Sequence, residues 1–94
     1  MVTHGGLSTI PPRPELISYR QYVRGSGRYD DPVDQQFERQ APPGWIQVHG
    51  HRNVAQLPIQ AAPRSFNLEG RVEYGGALRV MLMDAQGLSP IEVR

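Results

Sequence analysis

The most regular hydrophobic pattern lies in the second half of the chain. From Ser65 to Tyr74, apolar and polar side chains mostly alternate, which predicts a strand with one buried and one solvated face. From Leu78 to Met83 almost every position is apolar, which is typical of a central strand covered on both faces. Gly75–Gly76 stands between the two runs and favours a two-residue hairpin turn.

Further short strands are predicted around this hairpin. One covers Trp45–His49, a weaker one falls within 53–60, and a last strand follows the turn at 84–87. Short strands separated by turns at this spacing indicate a small antiparallel barrel or sandwich. We therefore predict a small β module over residues 44–94.

The first half of the chain has no sustained apolar period. Residues 1–14 are rich in Gly and Pro, which predicts an extended segment. Residues 15–24 fit a helical and an alternating period nearly equally well, with Pro14 and Gly25 favouring a helix slightly.

A helix start is the clearest local signal. Asp31 at the N-cap, Pro32 at the first helical position and acidic residues in the first turn predict a helix over residues 32–40. The predicted fold class is thus mainly β, with an extended N-terminal arm over residues 1–43 that carries this one short helix.

Charge is unevenly distributed in the first half. Residues 13–28 contain four Arg against one Glu, and residues 29–40 contain four acidic residues against one Arg. These local charges of +3 and −3 suggest that the basic stretch of one molecule meets an acidic stretch of a neighbour. Tyr, Trp and Arg are also enriched where proteins bind one another. The predicted partner-binding residues are Tyr19, Arg20, Tyr22, Arg24, Arg28, Tyr29, Phe37 and Trp45.

Candidate catalytic and metal-binding chemistry is sparse. The chain has no Cys, which excludes disulfides and thiol catalysis. His49 and His51 are two apart, so a strand would place both imidazoles on one side. No acidic residue follows within 52–65, and His4 belongs to the predicted arm, so we interpret the pair as exposed imidazoles in a turn. No serine-nucleophile or phosphate-loop motif is present. We predict no metal, no cofactor and no enzymatic activity.

Size and charge then select the expected function. A β module of 51 residues without disulfides has a small core, and oligomerisation or docking is the usual remedy. A net charge of +1 and the absence of Lys argue against a general polyanion binder. We expect a structural subunit that docks on or clamps neighbouring protein subunits, including its own copies. A tailed-phage cement, decoration or neck protein fits this description, as does a small subunit of a bacterial envelope or secretion machine.

The alternative is an OB-like module that binds single-stranded nucleic acid through Tyr19, Arg20, Tyr22 and Arg24. Neither a membrane span nor a secretory signal is visible, so the expected location is a virion or the cytoplasm.

Overall fold

A computed structural model describes residues 1–93. Within this range about 26% of residues lie in strands and 21% in helices, a mixed α/β composition in which strand exceeds helix only slightly. Short 3₁₀ turns cover Pro14–Leu16 and Val72–Tyr74. The helices and strands are α1 (Tyr19–Arg24), α2 (Val33–Gln40), β1 (Gln47–His49), β2 (Gln60–Ala62), β3 (Ser65–Asn67), β4 (Leu78–Asp84) and β5 (Gly87–Val93).

Strand β3 is the centre of a three-stranded sheet. It pairs in parallel with β1 and antiparallel with β2, so the strand order is β1-β3-β2. The first residues of the chain extend this sheet, because Val2 forms a parallel bridge with Val48 and the amide of Thr3 donates to the Val48 carbonyl at 3.0 Å. These N-terminal residues are therefore bound to the edge of β1.

Strands β4 and β5 form a separate antiparallel hairpin. Their register runs from Leu78 opposite Val93 to Asp84 opposite Gly87, with Ala85 and Gln86 as the two-residue turn. The predicted turn at 84–87 is thus confirmed. The two sheets do not close into a barrel within residues 1–93, so the predicted barrel is wrong.

The predicted hairpin around Gly75–Gly76 is also wrong. Strand β3 ends at Asn67. The backbone at Gly70 then passes directly against the backbone at Ala77, the residue before β4. The crossing is so close that a Cβ on Gly70 would lie 1.7 Å from the Ala77 carbonyl oxygen. Only glycine allows two backbones to approach so closely. Because β4 pairs with β5, the two strands of the expected hairpin are not paired with each other.

The main hydrophobic cluster lies in the first half of the chain. Leu7, Ile10, Ile17 and Phe37 are buried against one another. Residues 1–43 therefore do not form the extended arm that their Gly and Pro content predicts, because their few large apolar side chains gather around α2. The division of the chain at residue 44 stays a prediction.

The two helices begin differently. Helix α2 confirms the predicted helix over 32–40, although Pro32 is the N-cap residue and Asp31 makes no cap. The Asp31 carboxylate instead accepts from the amide of Arg28 at 2.7 Å. Helix α1 begins at a capping box of Ser18 and Gln21, which resolves residues 19–24 as helix.

None of the helices within residues 1–93 has the length and hydrophobicity needed to cross a bilayer.

Candidate functional site

A buried polar cluster joins α2 to the larger sheet. Gln47 and His49 of β1 and Ser65 of β3 are buried at neighbouring positions. Because residues two apart on a strand share a face, Gln47 and His49 face the same side of the sheet. That side meets Asp34, which comes from the first turn of α2 and is also buried.

Asp34 is the common acceptor of this cluster. Its Oδ1 accepts from the Ser65 hydroxyl at 2.6 Å and lies 2.8 Å from His49 Nε2. The Gln47 amide donates to Ser65 Oγ at 2.8 Å, which continues the chain of hydrogen bonds. His49 Nδ1 faces the Gly50 carbonyl oxygen at 3.1 Å. Both ring nitrogens thus face oxygen atoms, and Nε2 links the imidazole directly to the carboxylate.

Burial and hydrogen bonding act in opposite directions on Asp34. Burial by itself would raise the pKa of the carboxyl group, since it penalises the charged form. The hydrogen bond and charge of His49, together with the Ser65 hydroxyl, outweigh burial and hold the pKa of Asp34 below its ordinary 3.8. The ionised carboxylate is therefore the form that the fold favours.

Stability should consequently fall in acid. A carboxyl group with a depressed folded-state pKa stabilises the fold above its unfolded pKa, and this contribution is lost as pH falls through the folded pKa. We expect the free energy of unfolding, measured in urea, to decrease below about pH 4, and this dependence to be shallower in Asp34→Asn. Asp30→Asn removes an exposed carboxylate and is the matched control. Equal pH dependence in both variants would contradict the assignment to Asp34.

A second cluster lies on the surface beside this network and contains three rings. His4 and His51 stack with ring centroids 4.7 Å apart, and Tyr29 meets His51 edge-on at 5.4 Å. His4 is brought here because its amide donates to the Tyr22 carbonyl and its carbonyl accepts from Gly50. We call His4, Tyr29 and His51 the ring cluster.

His51 holds an uncommon backbone conformation. Its φ of 68° lies in the left-handed region, which non-glycine residues seldom occupy and which recurs at binding and catalytic sites. Arg52, the next residue, is only 6% exposed, and its guanidinium donates to the carbonyls of Ser26 and Arg28. Its Nε has no hydrogen-bond partner. Burial lowers the pKa of Arg52 from its ordinary value, and the charge of Asp31 partly offsets this effect.

The histidine prediction therefore needs correction. His49 is a buried partner of Asp34, whereas His51 is exposed and its neighbour is His4. Within residues 1–93, no three or more His, Asp or Glu side chains are arranged to hold a metal ion. The ring cluster supplies two exposed imidazoles and no acidic ligand.

The predicted partner-binding residues are spread over the fold. Helix α1 carries Tyr19, Arg20, Tyr22 and Arg24; Tyr19 is 83% exposed, whereas Tyr22 is half-buried against the core. Arg28 is exposed and Tyr29 belongs to the ring cluster. Trp45 lies elsewhere, in a groove of about 430 Å³ shared with Met83 and Leu88. Partner contact at these exposed positions stays a prediction.

Phe37 and the acidic stretch do not have the predicted roles. Phe37 is 1% exposed in the core and cannot reach a partner in the folded chain. Asp34 is bound to His49 and Ser65, and Glu38 accepts hydrogen bonds from Arg64. These two carboxylates are used inside the fold, so the stretch does not present its full charge of −3 to a neighbour.

Sequence reasoning missed the outer face of the hairpin. Strand register places Leu78 beside Val93 and Val80 beside Ile91, with Leu82 next to Ser89. All five aliphatic side chains are between 37% and 53% exposed. The opposite face is more covered, since Arg79 donates to the carbonyls of Leu57 and Asn67. We call Leu78, Val80, Leu82, Ile91 and Val93 the outer face.

No charged side chain lies on the outer face between Leu78 and Leu82, and Asp84 continues the same side at the turn, opposite Gly87. The uninterrupted apolar run from Leu78 to Met83 was a signal of this face, but it predicted a strand covered on both sides. A contiguous exposed apolar patch on a soluble domain is typical of an interaction surface. No family model matches the chain, and no curated protein or solved structure matches it at a significant level.

Proposed function

We propose that this chain is a non-enzymatic structural subunit that docks on another protein through the outer face. The carrying observation is the row of five exposed aliphatic side chains on one side of the β4–β5 hairpin. Cement, decoration and neck proteins of tailed phages are subunits of the proposed kind. The proposed partner is a protein because uncharged aliphatic side chains cannot bind the phosphates of a nucleic acid.

The separation of the β4–β5 hairpin from the larger sheet also supports this proposal. A two-stranded sheet is marginally stable in water and needs a further layer on an apolar face. Its inner side is held by Arg79, which bridges to carbonyls of the rest of the chain and pairs with Glu92. The outer face has no such layer within residues 1–93. A docked protein would supply it and complete a two-layer arrangement.

The strand arrangement argues against the OB-like alternative. An OB-fold is a single five-stranded, partly open barrel, whereas the strands of residues 1–93 form a three-stranded sheet and a separate hairpin. The Tyr and Arg side chains named for it lie on the short helix α1 instead of on a sheet face.

Site-specific photocrosslinking tests the docking proposal. A photoreactive benzophenone amino acid at Leu82 of the full chain should yield an adduct of one defined mass in the producing cells. The same group at Gln35, an exposed position on α2, is the matched control and should yield none. Absence of an adduct from Leu82, or equal adducts from both positions, would overturn the proposal.

The ring cluster favours a second candidate function, binding of a transition-metal ion. Imidazole is the commonest protein ligand of Zn²⁺ and related ions, and His4 and His51 are exposed neighbours from distant parts of the chain. A tetrahedral site needs four donors, so water or a docked partner would have to supply the remaining ligands.

Titration with Co²⁺ alone tests this candidate. Imidazole NMR signals of His4 and His51 should shift or broaden first, whereas buried His49 serves as an internal control. His4→Ala should weaken binding, because it removes one of the two imidazole ligands. Unchanged imidazole signals at millimolar Co²⁺ would exclude the site.

A further inference from the structure

We propose that a cleft between two loops binds a small aromatic anion, that is, a planar ring that carries a phosphate or carboxylate, as a mononucleotide does. The cleft measures about 680 Å³ and lies between the loops 53–58 and 70–77, with Arg79 and Glu92 of the hairpin also lining it. Sites for small organic ligands typically measure about 300–1,000 Å³. This cleft is separate from the outer face, so the inference does not depend on the docking proposal.

The two loops are held together by largely buried polar side chains. The Asn53 amide donates to the carbonyl oxygens of Leu57 at 3.1 Å and Glu69 at 2.8 Å. The Arg79 guanidinium donates to the Leu57 carbonyl at 2.8 Å and forms an ion pair with Glu92 at 3.1 Å. These side chains use their hydrogen-bonding groups within the fold, and they keep the cleft open at a fixed width.

Two residues that line the cleft hold left-handed backbone. The φ angle is 55° at Gln56 and 57° at Arg71, a conformation that costs free energy and recurs at ligand sites. The Arg71 backbone is fixed by three hydrogen bonds. Its amide donates to Glu69 Oε2 at 3.0 Å, and its carbonyl accepts from the amides of Tyr74 at 2.9 Å and Gly76 at 3.0 Å. The Arg71 side chain therefore begins at a well-defined position.

The exposed side chains of the cleft are not used by the fold in this way. The Arg71 guanidinium lies over the Tyr74 ring, 5.2 Å from its centroid, and has no carboxylate partner within residues 1–93. The Tyr74 ring is 75% exposed, and Gln56 is also exposed. Since Arg79 is paired with Glu92, the unpaired charge among the lining residues is the positive charge of Arg71.

These three side chains match the parts of an aromatic anion. The planar guanidinium of Arg71 can donate two parallel hydrogen bonds to a phosphate or carboxylate. The exposed ring of Tyr74 offers a surface on which an aromatic ring can stack. The Gln56 amide can donate to and accept from the polar edge of that ring. A cationic ligand would instead be repelled by Arg71, and an aliphatic one would make little use of Tyr74.

An NMR titration of the full chain with AMP, adenosine and inorganic phosphate tests this inference. AMP should bind with a submillimolar Kd and shift amide signals within 53–58 and 70–77, whereas amide signals of α1 should stay unchanged. Adenosine and inorganic phosphate each lack one part of the ligand and should bind at least about tenfold more weakly. Absence of AMP binding at millimolar concentration, shifts confined to other segments, or equal affinity for AMP and phosphate would overturn the proposal.

Substitutions at the cleft assign the contacts. Arg71→Asn removes the guanidinium but keeps a residue that tolerates left-handed backbone, and it should weaken AMP binding by about tenfold. Tyr74→Ala should have a similar effect, whereas Tyr74→Phe keeps the stacking surface and should retain binding. Arg39→Asn removes the same charge from an exposed position on α2 and is the matched control.

Circular dichroism verifies that each variant is folded, and Tyr74→Ala alone carries the test if Arg71→Asn is not. AMP affinity that is equal in the wild-type chain and in the folded cleft variants would overturn the proposal. Crosslinking from Leu82 does not involve this cleft, so the docking proposal and this inference fail separately.

Discussion

Replacing Phe37 by alanine should lower the free energy of unfolding by about 3–5 kcal/mol. The ring is 1% exposed and packs with Leu7, Ile10 and Ile17, which lie with Phe37 itself in the segment expected to be an extended arm. Removing the ring leaves a cavity between α2 and these three side chains. Since small domains are stable by only about 5–15 kcal/mol, the loss is a large part of the total.

Urea unfolding and limited proteolysis together measure this effect. Tyr19→Ala removes an aromatic ring that is almost fully exposed and should change stability by less than about 0.5 kcal/mol. In Phe37→Ala, we expect proteases to cleave within residues 1–43 faster than in the wild-type chain. If these residues were a free arm, the wild-type chain would already be cleaved there and Phe37→Ala would change nothing.

Local sequence signals predicted the local elements. The helix α2 follows from Pro32 and the acidic first turn, and the turn at 84–87 follows from its short polar sequence with Gly87. Each of these elements is determined by neighbours within a few residues, so pattern analysis is sufficient.

Long-range packing was beyond such signals. Leu7, Ile10 and Ile17 have no helical or strand period, and their burial depends on Phe37 of α2. The register of β3 is likewise set by parallel pairing with β1 and by the crossing at Gly70. Neither the partner strand nor the crossing can be deduced from alternation within one strand.

The candidate site was predictable only in part. His49 and His51 stand out by their spacing, but opposite environments separate them: His49 is buried beside Asp34 and His51 is exposed beside His4. The proximity of His4 depends on the N-terminal residues pairing with β1, which the Gly and Pro content concealed. The apolar run of β4 was visible, whereas the missing cover on its outer face is a property of the three-dimensional fold.

The buried carboxylate should be almost as important for stability as the core ring. Asp34→Ala removes the acceptor shared by Ser65 and His49, leaving the hydroxyl proton of Ser65 and Nε2 of His49 without that partner in the interior. Breaking a buried pair from one side costs about 3–5 kcal/mol. Asp34→Asn keeps an oxygen acceptor for Ser65 while removing the charge. It should therefore lower the free energy of unfolding by less than Asp34→Ala does. Urea unfolding of both variants at neutral pH measures the difference.

A double-mutant cycle separates the pair from the rest of the network. We expect Asp34→Ala and His49→Ala to be non-additive, with a coupling free energy of about 0.5–3 kcal/mol, because each variant removes the same 2.8 Å contact. Asp34→Ala combined with Tyr19→Ala should be additive, since Tyr19 is exposed on α1. Additivity in the first cycle would contradict the coupling and would mean that Asp34 stabilises the fold through its other partners, Ser65 among them.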